Sequence, residues 1–173
     1  MDYTRGRMDL LIREARVDDA EGVARILNQS IQARNYTVFD RPFTVEEERA
    51  FIISFPTRGT FLVAVRPADE RIVGFQNMEP FGPYTSAFAH VGVLGSYVDL
   101  DLRRQGIARR LFEATYRAAI QKAYEKIFTF VRADNEAAIR TYLSQGFSII
   151  GTARRQAKID GQYIDEILIE RFL

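Results

Sequence analysis

The residues best suited to chemistry lie in two short segments. In the first, Arg103-Arg104-Gln105-Gly106-Ile107-Ala108 follows the strand-like Ser96-Tyr97-Val98 and opens a helix. The first amides of a helix have no intrahelical acceptor, and the macrodipole places roughly half a positive charge on them. Gly106 and the small Ala108 let an anion approach that backbone, while Arg103, Arg104 and Arg109 add mobile cations. Such a start suits a diphosphate. Alone, a pattern of Arg or Gln, two residues, Gly, one residue, then Gly or Ala should occur by chance in roughly one chain of this length in six. A solvated arginine run on an ordinary helix start fits it as well. The second segment, Asn135 to Phe147, places Asn135, Ala138 and Tyr142 on a short helix that ends at Gly146-Phe147. Taken by itself, Tyr142 there is a core aromatic by default.

The rest of the chain narrows the options. Its 173 residues suffice for one domain spanning 1–173, and the 47% hydrophobic and 27% charged composition is ordinarily globular. A net charge of +1 gives no overall drive toward nucleic acid or an anionic membrane, so phosphate binding has to come from a local cradle. The absence of cysteine excludes disulfides, thiolate metal sites and a cysteine nucleophile; a single histidine excludes a histidine metal cluster, so no metal is expected. Without a signal-like or membrane-spanning apolar run, the expectation is a cytoplasmic protein with no membrane partner, preceded by a loose tail at Met1 to Arg7.

These segments must be positioned by regular elements. Leu10 to Arg16 reads as a strand; Asp18 with Glu21 then offers a cap for a helix whose Val23, Ile26, Leu27 and Ile31 form one face. Thr44 with Glu47 repeats the capping-box spacing after an aromatic loop containing Asn35, Tyr36 and Phe39. Thr60 to Arg66 and Arg71 to Glu79 predict two antiparallel strands around a tight turn. Phe88 to Val98 predicts a longer strand whose Gly92 and Gly95 suggest a bulge, a close backbone approach or a strong twist. A helix to about Ala123, the strand Lys126 to Arg132, the short helix from Asn135 and two strands flanking Asp160-Gly161 complete the order β-α-α-β-β-β-α-β-α-β-β.

The spacing of Asn135, Ala138, Tyr142 and Gly146-Phe147 resembles a signature of the GNAT acetyltransferase superfamily, and it lies the expected distance after Arg103 to Ala108. Under average usage that coincidence is on the order of one in ten thousand chains. The resemblance implies an α/β (α+β) GNAT fold. Its mixed, mostly antiparallel twisted sheet of about seven strands is flanked by about four helices and splays to admit an acyl-CoA. Thr37 to Pro42, Ser96-Tyr97-Val98 and Lys158 to Glu166 are similar to the phosphinothricin and amino-acid N-acetyltransferase branch.

Further implications come with the resemblance. Acetyl-CoA would be held by Ser96, Tyr97, Val98, Arg103, Arg104, Gln105, Gly106, Ile107, Ala108, Arg109, Asn135 and Tyr142. Tyr142 would serve as the acid toward the departing thiolate, and the acceptor would be a primary amine of a small molecule, attacking in a ternary complex. Protein N-terminal acetylation and a non-catalytic acyl-CoA sensor are the alternatives; a homodimer through the C-terminal strands is compatible with all three. Amine acetylation needs a neutral nucleophile, which costs about 4 to 5 kcal/mol for a lysine-like amine at pH 7 and about 1 to 2 for an α-amine. The branch carries a glutamate where this chain has Val93. His90, Glu79 or an ordered water chain then has to take the proton.

Overall fold

The structure, a computed structural model, describes residues 8–173, so the expected tail at 1–7 lies outside the described residues. Seven strands form one sheet in the order β1-β2-β3-β4-β5-β7-β6. They are β1 (Leu11–Glu14), β2 (Thr60–Arg66), β3 (Arg71–Pro80), β4 (Val91–Val98), β5 (Lys126–Arg132), β6 (Ser148–Ile159) and β7 (Gln162–Phe172). The helices are α1 (Ala20–Gln32), α2 (Val45–Ile53), α3 (Ile107–Gln121) and α4 (Glu136–Ser144). Every strand pair is antiparallel except β4 with β5, which is parallel. The element order and the expected mixed sheet are those read from the sequence.

Two layers of helix cover the sheet. On one face, Val23, Ile26 and Ile31 of α1 pack with Phe61, Val63 and Phe75 of the sheet, and Phe51 of α2 joins them. On the other face, Phe112 of α3 and Tyr142 of α4 pack with Met78, Leu94, Ile127 and Ile169. The Thr44 hydroxyl accepts from the Glu47 N–H at 3.1 Å, and the Glu47 carboxylate accepts from the Thr44 N–H at 2.8 Å, the expected capping box. Asp160 and Gly161 both take positive φ, 49° and 79°, as the β6–β7 hairpin turn requires.

Three local expectations change. Asp18 does not cap α1; a 3-10 turn over Val17–Asp19 comes first. Asp19 is drawn back to the Arg16 N–H at 2.7 Å and to the Arg13 guanidinium at 2.6 and 2.8 Å. Next, β4 begins at Val91 because Ser86–Phe88 forms a 3-10 turn capped by Thr85, with Phe88 packed edge-on against Phe81. Finally, Gly92 and Gly95 do not make a bulge, since the β3–β4 register runs unbroken from Gly74↔Val98 to Pro80↔Gly92. They are small because side chains of β3 cover them: a Cβ would lie 2.6 Å from the Met78 sulfur at Gly92 and 2.5 Å from Asn77 Oδ1 at Gly95.

The end of β4 is fixed by Asp99, whose side chain is 0% exposed. Its carboxylate accepts from Arg25 and Arg71, both at 2.7 Å, and from the Asp101 N–H at 3.1 Å. Burial alone would raise its pKa; the hydrogen bonds from Arg25, the Asp101 N–H and Arg71 outweigh it and hold the carboxyl below its usual range. A carboxyl depressed on folding contributes stability above its unfolded pKa and loses it as pH falls through the folded value. Asp99→Asn should therefore cost about 2–3 kcal/mol in urea unfolding at pH 7, less than a fully buried pair because both guanidiniums remain partly solvated. The cost should shrink as the pH is lowered below about 4.

Candidate active site

The site originates in an interrupted ladder. β4 and β5 pair only from Val91↔Lys126 to Val93↔Phe128, although both strands continue. Even-numbered residues of β4 turn their backbone toward β5. The His90 C=O accepts from the Glu125 and Lys126 N–H groups at 2.9 and 3.1 Å, and the Leu94 C=O accepts from the Thr129 hydroxyl at 2.6 Å. Odd-numbered residues turn toward β3, as the Asp99 N–H does in donating to Val73 at 3.0 Å. Ser96 and Val98 thus direct N–H and C=O into the gap, where no strand meets them.

A cavity of about 850 Å³ occupies this gap and continues to the starts of α3 and α4, a size suited to a cofactor-sized ligand. At its mouth lies the cradle expected from the sequence, a run of unpartnered backbone amides. Among the described residues, no backbone N–H from Arg103 through Arg109 finds an acceptor in the protein; the first amide to do so is that of Arg110, which donates to Gly106 at 3.1 Å. Arg104 and Gly106 take left-handed φ of 61° and 80°. A Cβ at Gly106 would meet nothing within 4 Å, so the space over this backbone is open to a ligand. Arg103 lies over the Tyr36 ring at 3.9 Å, which ties the cradle to the α1–α2 loop.

The walls hold most of the residues singled out from the sequence. Ser96, Tyr97, Val98, Arg103, Arg104, Gly106, Ile107, Ala108, Arg109, Asn135 and Tyr142 all line the cavity; the Gln105 side chain does not, and only its amide belongs to the cradle. The Ser96 hydroxyl accepts from Gln76 Nε2 at 2.9 Å, and the Gln76 carbonyl accepts from the Thr115 hydroxyl at 2.8 Å. Gln76 and Thr115 are both 0% exposed, so this buried chain joins β4 to β3 and α3. Asn135 caps α4 through Oδ1, which accepts from the Ala138 N–H at 3.1 Å, leaving its amide nitrogen for a ligand. Tyr142 packs edge-on against Phe112 and Phe147 at 5.3 and 5.1 Å. Burial first, then neighbouring Tyr97 and Tyr116, push its phenol well above the usual tyrosine range.

The two proton acceptors considered from the sequence separate. His90 is exposed in the turn before β4, at the closed end of the split and about 20 Å along the strand from Ser96. Glu79 sits directly across from Val93 in the β3–β4 register, on the same sheet face, beside the last β4–β5 pair but outside the cavity lining. Burial raises its pKa, and among the described residues no donor holds its carboxylate. Glu166 of β7, noted in the sequence only as the end of the Lys158 to Glu166 likeness and not as a site residue, lines the cavity opposite Arg132.

Residues 25–147 match the acetyltransferase (GNAT) family. The chain belongs to that family. It is similar over 168 residues, 96% of this chain and 98% of the relative, to a phosphinothricin N-acetyltransferase of Streptomyces coelicolor, with 24% identity. A ribosomal-protein-alanine N-acetyltransferase from Brucella melitensis shares 25% identity at a TM-score of 0.85, over 94% of this chain and 99% of that one. A phosphinothricin acetyltransferase from Sinorhizobium meliloti in complex with AcCoA shares the fold at a TM-score of 0.86 and 16% identity, over 96% of this chain and 89% of that one. The GNAT fold, the acetyltransferase class and the likeness to the phosphinothricin branch are as read from the sequence.

Valine at position 106 would be strained by about 1–3 kcal/mol at this φ and would place methyls in the open cradle. Gly106→Val is expected to weaken coenzyme A binding at least tenfold by titration calorimetry, with Gly106→Ala intermediate.

Proposed function

We propose that this acetyltransferase moves an acetyl group from acetyl-CoA to a primary amine of a small molecule, by direct attack in a ternary complex. The observation that carries the reading is the run of unpartnered N–H groups from Arg103 to Arg109, set at the open end of the β4–β5 split. Those amides, with Arg104 and Arg109, would hold the diphosphate. Ser96 and Val98 offer the pantetheine arm a strand edge, and the Asn135 amide faces the same channel. The acetyl thioester supplies an electrophilic carbonyl and a thiolate leaving group.

Tyr142 is kept protonated by its enclosure, which fits a phenol that donates a hydrogen bond to the departing sulfur rather than surrendering its proton early. Glu79 is the proton acceptor in this reading. Its carboxylate occupies the cross-strand position beside Val93, is partly desolvated, and would take the amine proton through water. The sequence lacks a cysteine to carry an acyl group, which agrees with direct attack. The Brucella relative favours a second reading, acetylation of a protein N-terminus; activity on peptides but not on free amines would establish it. A sensor that binds without turnover is disfavoured by Tyr142 and Asn135 both lining the cavity.

Tyr142→Phe should lower kcat by about 10- to 100-fold while the affinity for acetyl-CoA changes by less than about threefold. Equal turnover of the variant and the parent would remove Tyr142 from the chemistry. For Glu79, the base works only when ionised, so kcat at saturating acceptor should fall as pH drops through its raised pKa. Glu79→Gln should lower kcat about 10- to 100-fold and abolish that acidic limb; a limb that survives in the variant would point to another base.

A further inference from the structure

Glu166 has an unusual environment for a carboxylate. It is 8% exposed and lines the cavity, yet among the described residues no donor reaches either of its oxygens and it joins no ion pair. Arg132 faces it across the β5–β7 register, but every guanidinium nitrogen of Arg132 is engaged. Nε and Nη2 donate to Asp134 at 2.9 and 2.6 Å, and Nη1 donates to the Thr37 C=O at 3.1 Å. Burial raises the Glu166 pKa, and the nearby charge of Arg132 only partly opposes it. A desolvated carboxylate that opens onto a ligand cavity without a donor is incomplete until a donor arrives.

The same face of the sheet repeats this deficit. Among the described residues Glu79 has no donor, Asn77 Oδ1 is buried without one opposite Gly95, and Glu48 of α2 is buried and lies close enough to Tyr97 to affect its ionisation. Glu170, by contrast, is paired with Lys126. The other guanidiniums of the cavity, on Arg103, Arg104, Arg109 and Arg140, belong to the cradle and to α4. Of the acceptor groups on this face only Glu166 lines the cavity, and among the described residues the one guanidinium beside it is committed to Asp134 and the Thr37 C=O, which leaves that carboxylate without a free cation. Such a carboxylate complements an ammonium or guanidinium and repels a carboxylate or phosphinate.

Resting on the amine-acetyltransferase reading above, we propose that the acceptor carries a second positive charge besides the reacting amine, and that Glu166 holds that non-reacting cation. The two carboxylates are placed for separate tasks. Glu79 shares a row with Val93 and Phe128, whereas Glu166 shares one with Arg132, about 13 Å farther along β5. The acceptor class is thus a diamine or an amine bearing a guanidinium, in preference to an anionic amino acid.

The test compares initial rates on alkyl diamines, monoamines of equal chain length, and anionic amino acids, with acetyl-CoA binding measured separately by calorimetry. Diamines should exceed matched monoamines in kcat/KM by at least about tenfold, and anionic amino acids should be poorest. Glu166→Gln should raise KM for a diamine about 10- to 100-fold with kcat within about threefold, and should raise KM for a monoamine far less. Glu166→Lys should reverse the order in favour of the anionic amino acid. Equal KM effects on both amine types, a loss carried by kcat, or a parental preference for anionic amino acids would each overturn the assignment. Absence of acetyl-CoA binding, or binding without turnover of any amine, would instead overturn the underlying reading.

Discussion

The site depends on the parting of β4 from β5. A sheet that stops pairing in its interior exposes backbone groups which would otherwise be satisfied, and such groups are costly unless something meets them. The split persists because each strand is held on its other side. β4 stays in register with β3 to Val98, and β5 with β7 to Arg132, so neither can swing across to close the gap. The outcome is two rigid half-sheets sharing a short parallel seam, with a strand-like vacancy between them. A ligand that can behave as a strand, with alternating donors and acceptors, completes what the protein leaves open.

Two buried polar arrangements keep that geometry exact enough to use. Asp99 gathers Arg25 from α1 and Arg71 from β3 at the point where β4 ends, which sets the direction in which the chain leaves for the cradle. The Ser96–Gln76–Thr115 chain runs through the α3 side of the sheet and fixes the wall of the split against the helix whose start carries the unpartnered amides. Both sit in a region that could have been filled by apolar side chains. Their effect is registry: they link the end of β4, the cradle and α3 so that the spacing between backbone donors is held while the gap stands open.

What the sequence disclosed was local. The Asp160-Gly161 turn, the Thr44–Glu47 capping box and the glycine opening α3 are each encoded within a few residues and appear as expected. Errors arose where a local pattern had a nonlocal cause. Gly92 and Gly95 read as a bulge, but they answer to Met78 and Asn77 on the adjacent strand. Asp18 read as a cap until Arg13 on β1 drew Asp19 instead. His90 read as a strand residue until the turn at Ser86–Phe88 removed it from the strand. Glu166 entered only as the end of the Lys158 to Glu166 likeness and not as a site residue, because its proposed role comes from lying opposite an arginine already committed elsewhere.

The cavity lining carries both signs of charge although the chain is nearly neutral. Helix-start amides with Arg104 and Arg109 supply the positive part and Glu166 the negative part, while Glu79 lies outside the lining in the Val93 row. The arrangement creates a conflict for amine chemistry, since negative charge near an ammonium stabilises its protonated form and opposes formation of the neutral nucleophile. A single carboxylate that both attracts the cation and removes its proton would have to balance those demands on one nitrogen. Distributing them along the sheet removes the conflict. In the proposed reading Glu166 binds a charge that never reacts, where stronger attraction only improves occupancy, while Glu79 would act on the reacting nitrogen and return its proton to water. The separation of the Val93 and Arg132 rows is what makes that division of labour available, and it favours an acceptor with charge at two distant points over one that concentrates both signs around a single amine.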